Sequence, residues 1–368
     1  ETGSIPMSTS ALALNSVISI IDGFHSGSKK ERNAEIVKRH LGLDGSGGCS
    51  MEIAGKPHNL TRESVRQILN KYKDALIVHK SAFEALKKAA AILEKIAPVS
   101  AESAEAILAE AGLIEPGFKV EGLINASNFL TVRKGGNELS IVKEKSFWSD
   151  TSSRYVVTTK FEDLPKLTYS RALKETSHNG ASSVIHLSAD IGAGKEIREL
   201  FVRDLVNSIP GVQWLDSEQN WFYFPEKGRN RLIARLNKIF SVYHEVKFKN
   251  VKEGIRRSIN KHNDEISRRL PDAVLKAIFI SEGLKADSDI VYGNKSSGHT
   301  DLDIGMLEFE KKIIDTIIAN GEETINELKL ENAIVTDLKE KFAFSMALNY
   351  SPLIHRLRRG QYSLIGKC

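Results

Sequence analysis

Cysteine is scarce in this chain of 368 residues: Cys49 and Cys368 lie far apart, and neither has a second Cys or a metal-spaced His beside it. Such usage excludes a disulfide framework and a zinc site, and it suits a reducing, cytoplasmic compartment. Long apolar runs are missing too. The most apolar N-terminal stretch, 11–24, is interrupted by Asn15, Ser16, Ser19 and Asp22, so it is too short and too polar to span a bilayer. No membrane role is implied. Residues 1–6 are expected to be foreign to the natural chain, with Met7 as its start, because Ser, Thr and Ala then lead into a patterned helix.

The sequence also lacks the spacings that enzymes advertise. Its ten histidines are scattered, and no Ser/His/Asp set or close carboxylate pair stands out, so the chain is read as a non-enzyme without cofactor or metal. The stretch 189–196 invites a nucleotide-binding reading. A phosphate loop, however, needs glycine where Ala189 stands and Ser or Thr where Glu196 stands, and the reading is rejected. Net charge is only +5, but it is unevenly spread. Between residues 226 and 276 there are 14 Lys/Arg against 6 Asp/Glu, a local excess larger than that of the whole chain.

What is present is enough apolar residue, 41%, to bury substantial cores in two to four compact units. Residues 10–72 read as helices around the glycine-rich loop 43–48. A helix is predicted over 81–96, with Phe83, Leu86, Ala90 and Leu93 on one face and Pro98 beyond its end. Another spans 101–111, before strand-like 139–142 and 155–159. From about residue 161, helices followed by a short hairpin recur three times. Helix 196–209 precedes strands 212–215 and 221–224. Helices 231–242, 251–259 and 272–282 precede strand 290–292, and helices 307–320, 324–330 and 335–347 precede strands 354–357 and 362–365 about the turn Arg358-Arg359-Gly360.

Helices closed by a hairpin make the winged-helix form of the helix-turn-helix. The expected fold is therefore mainly α with short β hairpins, a helix-turn-helix followed by tandem winged-helix domains. The segments are a helix-turn-helix domain at 7–80, a helical, winged-helix-like domain at 81–160, a winged helix at 161–226, a basic winged helix at 227–300 and a C-terminal winged helix at 301–368.

The sharpest motif is Leu60-Thr61-Arg62-Glu63-Ser64-Val65-Arg66-Gln67-Ile68-Leu69. Thr61 is a good N-cap, and Val65, Ile68, Leu69 and Tyr72 form one apolar stripe. Arg62, Glu63, Arg66, Gln67 and Asn70 are left on the open side. Those residue types suit a major-groove helix: Arg can donate twice to guanine, Gln can pair with adenine, and Glu can accept from cytosine.

This segment resembles the recognition helix of region 4 of primary sigma factors, whose pattern is Thr-Arg-Glu-x-Val/Ile-Arg-Gln-Ile. Upstream, His40-Leu41-Gly42-Leu43-Asp44-Gly45 resembles the Tyr-Gly-Leu segment of that family, and Met51-Glu52-Ile53-Ala54 its supporting helix. The resemblance covers about a fifth of the chain. It implies that Arg62, Glu63, Arg66 and Gln67 read base edges while Thr61 and Lys71 touch phosphate. Two departures stand out. The connection 55–59 is longer than the tight turn of the family, and no aromatic-rich promoter-melting helix is found, so a complete sigma factor is not expected. More loosely, Val212-Gln213-Trp214-Leu215-Asp216, Trp221-Phe222, Gly228-Arg229-Asn230-Arg231-Leu232, Ser351-Pro352-Leu353-Ile354 and Arg359-Gly360-Gln361-Tyr362-Ser363-Leu364 resemble bacterial proteins that join such a motif to winged-helix repeats.

Two further sets of cations are candidates for DNA backbone contact. Arg229, Arg231, Arg235 and Lys238, with Arg256, Arg257, Lys261, Arg268 and Arg269, either track phosphates or lie on solvated, internally paired helices. Arg356, Arg358 and Arg359 suit a wing tip. The aromatics Trp214, Trp221, Phe222, Tyr223 and Phe224 either stack on single-stranded nucleic acid or fill a core, and the core is preferred for Trp214 and Phe222. The functional expectation is a sequence-specific binder of double-stranded DNA, a bacterial transcription regulator or DNA-sensing component of a mobile or defence locus, located at the nucleoid. RNA polymerase or another protein of the locus is its expected protein partner. The alternative is a winged-helix scaffold for protein contacts.

Overall fold

The computed structural model describes residues 12–24, 29–130, 138–145, 152–189, 191–192, 194–226, 229–259, 270–287, 289–293 and 307–367. The chain packs as two compact units, one of Glu1–Tyr169 with Ser188–Pro210 and one of Ser170–Leu187 with Gly211–Cys368. It is mainly helical, with short antiparallel strands gathered into three-stranded sheets.

The first elements are α1 (Leu12–Gly23), α2 (Lys30–Leu41), α3 (Met51–Gly55) and α4 (Arg62–Val78). Ser50 caps α3 and Thr61 caps α4, each side-chain oxygen accepting a backbone N–H three residues on. The stripe expected on α4 is inside: Val65, Leu69 and Tyr72 are buried, and Ile68 is half-buried. It packs with Val17 and Ile21 of α1, Ile36 and Val37 of α2 and Ala54 of α3. The long connection 55–59 is taken up by a 3-10 turn, Lys56–His58, and by Asn59 at φ 53°. Gly55 makes this compact. A Cβ there would stand 2.7 Å from Val65 Cγ2 and 2.8 Å from the Leu60 carbonyl oxygen, so only glycine lets α3 and α4 close to this distance.

Among the described residues after α4, one order of elements occurs four times: helix, strand, helix, helix, strand, strand. The first succession is α5 (Lys80–Ile96), β1 (Val99–Ser100), α6 (Ala101–Glu110), α7 (Val120–Leu130), β2 (Leu139–Lys145) and β3 (Ser152–Thr158). The second is α8 (Leu164–Asn179), β4 (Ser182–Ser183), α9 (Val184–Ser188), α10 (Lys195–Asn207), β5 (Gln213–Trp214) and β6 (Trp221–Tyr223). The third is α11 (Arg231–Val242), β7 (Glu245–Lys247), α12 (Phe248–Ile259), α13 (Asp272–Ser281), β8 (Lys285–Ala286) and β9 (Ile290–Tyr292). The fourth is α14 (Glu308–Asn320), β10 (Ile325–Asn326), α15 (Glu327–Ile334), α16 (Leu338–Tyr350), β11 (Ile354–Arg358) and β12 (Gln361–Leu364). In every one the last strand lies between the other two: β1-β3-β2, β4-β6-β5, β7-β9-β8 and β10-β12-β11.

The sheets thus have three strands where the sequence suggested two-stranded hairpins. Each missed first strand is two or three residues long, too short for alternation to register. Several also begin the next helix. Ser100 pairs across from Tyr155 while its Oγ accepts from Ser103 N–H, and Asn326 pairs with Gln361 while its Oδ1 accepts from Leu328 N–H. A polar residue serving as both strand end and helix cap reads, in sequence, as a cap alone. For the same reason the helix expected at 324–330 starts later, at Glu327, and the next starts at Leu338, where Asp337 caps it.

In the first unit, the half-buried guanidinium of Arg154 on β3 joins α6 to α7. It donates to both oxygens of Glu121 at 2.9 Å and to Glu102 at 2.9 Å, with Glu105 at 3.3 Å. Burial works against its charge, but these carboxylates outweigh that and hold its pKa above the ordinary value. In the second unit, the core is formed by the third and fourth successions with Ala181 and Tyr223.

Candidate nucleic-acid interface

The open side of α4 is as the sequence implies. Thr61, Arg62, Glu63, Arg66, Gln67, Asn70 and Lys71 are all exposed, while the opposite stripe is anchored in the core. Three of the expected base readers already hold one another. Arg66 donates through Nε to Glu63 Oε2 at 2.8 Å and through Nη2 to Oε1 at 2.6 Å, and Gln67 Nε2 donates to the same Oε1 at 3.3 Å. The hydrogen bonds from Arg66 and Gln67 lower the Glu63 carboxyl to about 2, and Glu63 in turn raises the Arg66 pKa. Because the guanidinium is planar, its Nη1 end lies on the side opposite the carboxylate. Arg66 is therefore oriented by Glu63 while keeping donors for a guanine edge.

The basic stretch of the second unit does not form the single face its sequence suggests. Arg229 is exposed, but Arg231 and Arg235 are half-buried, and Arg235 donates to the Ser258 carbonyl at 3.0 Å. Lys238 is turned inward onto the buried carboxylate of Glu310. Arg257 needs the clearest correction. Its guanidinium donates to the carbonyls of Leu348 at 2.8 Å, Asn349 at 3.2 Å and Ile354, so it holds α12 to the end of α16 and to β11, and those donors are spent on protein. Arg256 stays exposed, paired with Glu253 at 2.9 Å. Lys261, Arg268 and Arg269 lie outside the described residues.

At the last hairpin Arg356, Arg358 and Arg359 are exposed, and Arg358 Nε donates to Gln361 Oε1 at 2.8 Å. Gly360 has φ 73° with open space where a Cβ would be, so its requirement is conformational and not steric. Gly360→Val is expected to destabilise the chain by roughly 1–3 kcal/mol, whereas Arg358→Ala/Arg359→Ala should leave the melting temperature nearly unmoved and, if these arginines touch DNA backbone, weaken binding to all duplexes alike. Thermal denaturation and duplex affinity of both variants check this. An arginine pair that lowers melting but not affinity would make the hairpin a structural element.

Phe222, Tyr223 and Phe224 are core, while Trp214 and Trp221 are half-buried. Phe222 is fully buried, with Trp214 edge-on at 5.6 Å and Phe224 edge-on at 5.7 Å. Burial pushes the Tyr223 hydroxyl up to about 12, and its oxygen meets Ser281 and Glu282. Among the described residues, no three His, Cys, Asp or Glu side chains gather as a metal ion would need, and no helix is long and apolar enough to cross a membrane. Burial also raises the pKa of Cys49, which is free.

The sequence missed what the third helices of the successions expose. In the first succession α7 is nearly all interior: Val120, Glu121, Gly122, Leu123, Ile124, Ala126, Ser127 and Leu130 are buried. In the fourth, α16 leaves Leu338 87% and Phe342 72% exposed, one turn apart. Comparison of the chain with protein-family models, with curated proteins and with solved structures finds no match.

Proposed function

We propose that this chain is a sequence-specific double-stranded DNA-binding protein in which α4 enters the major groove. Arg62, Glu63, Arg66 and Gln67 meet base edges, while Thr61 and Lys71 meet phosphate. The observation that carries this reading is the α4 surface: a capped helix start whose first two turns carry an exposed, hydrogen-bond-competent side, on a helix pinned by a buried stripe. A helix of that kind presents fixed donors and acceptors, as direct readout needs. We read the four successions as winged helices, within segments 81–160, 161–226, 227–300 and 301–368, and 7–80 as the helix-turn-helix domain. Their order of elements and shared strand order support this. The role that fits is a bacterial transcription regulator or DNA-sensing component of a mobile or defence locus, acting at the nucleoid beside RNA polymerase or another protein of the locus.

One observation favours a second reading. Leu338 and Phe342 on α16 are large, apolar and exposed, which suits contact with a protein better than with phosphate. A winged-helix scaffold would use such a helix. Titrating salt against the affinity of the full chain for a random-sequence duplex separates the two: a DNA binder loses affinity steeply as salt rises, and a scaffold shows little binding at any salt.

A further inference from the structure

Among the described residues of the second unit, exposed cations stand on α12 and on the last hairpin, two elements that pack on one another. Helix α12 has two faces. Asn250, Gly254 and Arg257 point into the unit: Asn250 Nδ2 donates to the Ile365 carbonyl at 3.1 Å, a Cβ on Gly254 would lie 2.5 Å from the Pro352 carbonyl oxygen, and Arg257 bonds the carbonyls described above. These contacts fix the helix against β11 and β12. On the outward face, Lys249, Lys252 and Arg256 are exposed, at the i, i+3, i+7 spacing of a single helix side. The hairpin adds exposed Arg356, Arg358 and Arg359.

The two groups are electrostatic neighbours. Arg257 feels the charges of both Arg356 and Arg256, and His355 feels those of Arg257, Glu253 and Lys249. Two of these cations have exposed or half-buried acidic partners that phosphate would displace. Glu253 bonds Arg256, Asp272 bonds Lys252 at 2.5 Å, and Glu327 accepts from the Tyr362 hydroxyl at 3.4 Å. Among the described residues of α12 and the last hairpin, Leu357 is the one large apolar side chain exposed, at 44%, where a protein interface would centre on several aromatic or aliphatic anchors. Lys249 and Arg256 are two helical turns apart, about 10.5 Å, close to the ~12 Å width of the major groove.

The third helices of this unit offer less. On α13 the exposed positions are Asp272, Ala273 and Ile280, and the Lys276 ammonium lies 5.0 Å over the Phe248 ring. On α16 the exposed apolar pair dominates.

We propose that Lys249, Lys252 and Arg256 with Arg356, Arg358 and Arg359 form a sequence-independent seat for the phosphate backbone of double-stranded DNA, and that the second unit meets DNA there and not through its third helices. This rests on the reading of the chain as a DNA-binding protein.

The test uses the full chain and a random-sequence duplex across a salt series. The triple variant Lys249→Gln/Arg256→Gln/Arg356→Gln should lose at least tenfold in affinity at low salt, and its slope of log affinity against log salt should flatten by about 2.7, since about 0.9 of a counterion is released per neutralised phosphate. The α16 variant Lys339→Gln/Lys341→Gln should bind like the wild type. A charge-preserving exchange, Lys249→Arg/Arg256→Lys/Arg356→Lys, should also keep wild-type binding, which separates lost charge from a damaged fold. Wild-type duplex binding that survives the triple variant, or that falls with the α16 variant instead, overturns the seat while leaving the α4 reading intact. Stronger competition by duplex RNA than by duplex DNA overturns it as well. If the wild type binds no duplex at any salt, both readings fall together.

Discussion

Replacing Lys238 by Met is expected to cost about 3–5 kcal/mol of stability, because it leaves a buried carboxylate without its counter-charge. Glu310 is only 3% exposed, and the Lys238 side chain that meets it is 14% exposed. Glu310 also accepts from Leu307 N–H at 2.9 Å at the start of α14, so it cannot swing out to water without uncapping that helix. Met keeps the length of the lysine stem and removes only the charge. The double variant Lys238→Met/Glu310→Met should recover most of the loss, since replacing both partners of a buried pair by apolar groups is often neutral or better. Denaturant titration of the full chain, following the transition of the second unit, checks both. A single variant as stable as the wild type would mean that Glu310 is solvated in solution.

The second large effect is on recognition. Arg66→Ala is expected to weaken binding to the preferred duplex by about 1–3 kcal/mol, or roughly fivefold to more than a hundredfold, while scarcely changing affinity for random DNA. A base contact carries discrimination, and a phosphate contact does not. The free protein adds a reason for the size of the effect. Glu63 already holds the Nε and Nη2 edge of Arg66, so less side-chain freedom is lost on binding than for a solvated arginine. With its carboxyl lowered to about 2, Glu63 stays ionised from pH 5 to 8, and the ratio of specific to random affinity should be flat across that window as far as this pair sets it. Equal losses on both duplexes would remove Arg66 from the base readers.

Local signals carried far in this chain. Helix α11 is the predicted 231–242 end to end, because Asn230 caps it by accepting from Leu232 and Ile233 N–H and its apolar positions repeat at helical spacing. Thr61 and the Val65-Leu69-Tyr72 stripe were legible for the same reason: cap and period lie within a few residues of one another.

What could not be read was which cation faces what. Lys238 meets a carboxylate 72 residues away, and Arg257 meets carbonyls 91 to 97 residues away. Nothing within a basic run distinguishes such residues from solvated neighbours such as Arg256, since the difference arises only when α12 and α14 are packed in place. Lys249 and Lys252 were not among the cations read from the sequence, and the hairpin cations beside them are about a hundred positions along the chain.

Selection of duplexes by the full chain from a randomised DNA pool, followed by sequencing, tests sequence-specific binding through α4 most directly. Enrichment of a short motif with at least one guanine is expected, with loss of that preference at one position in the Arg66→Ala protein. A bound pool no different in sequence from the input would contradict it.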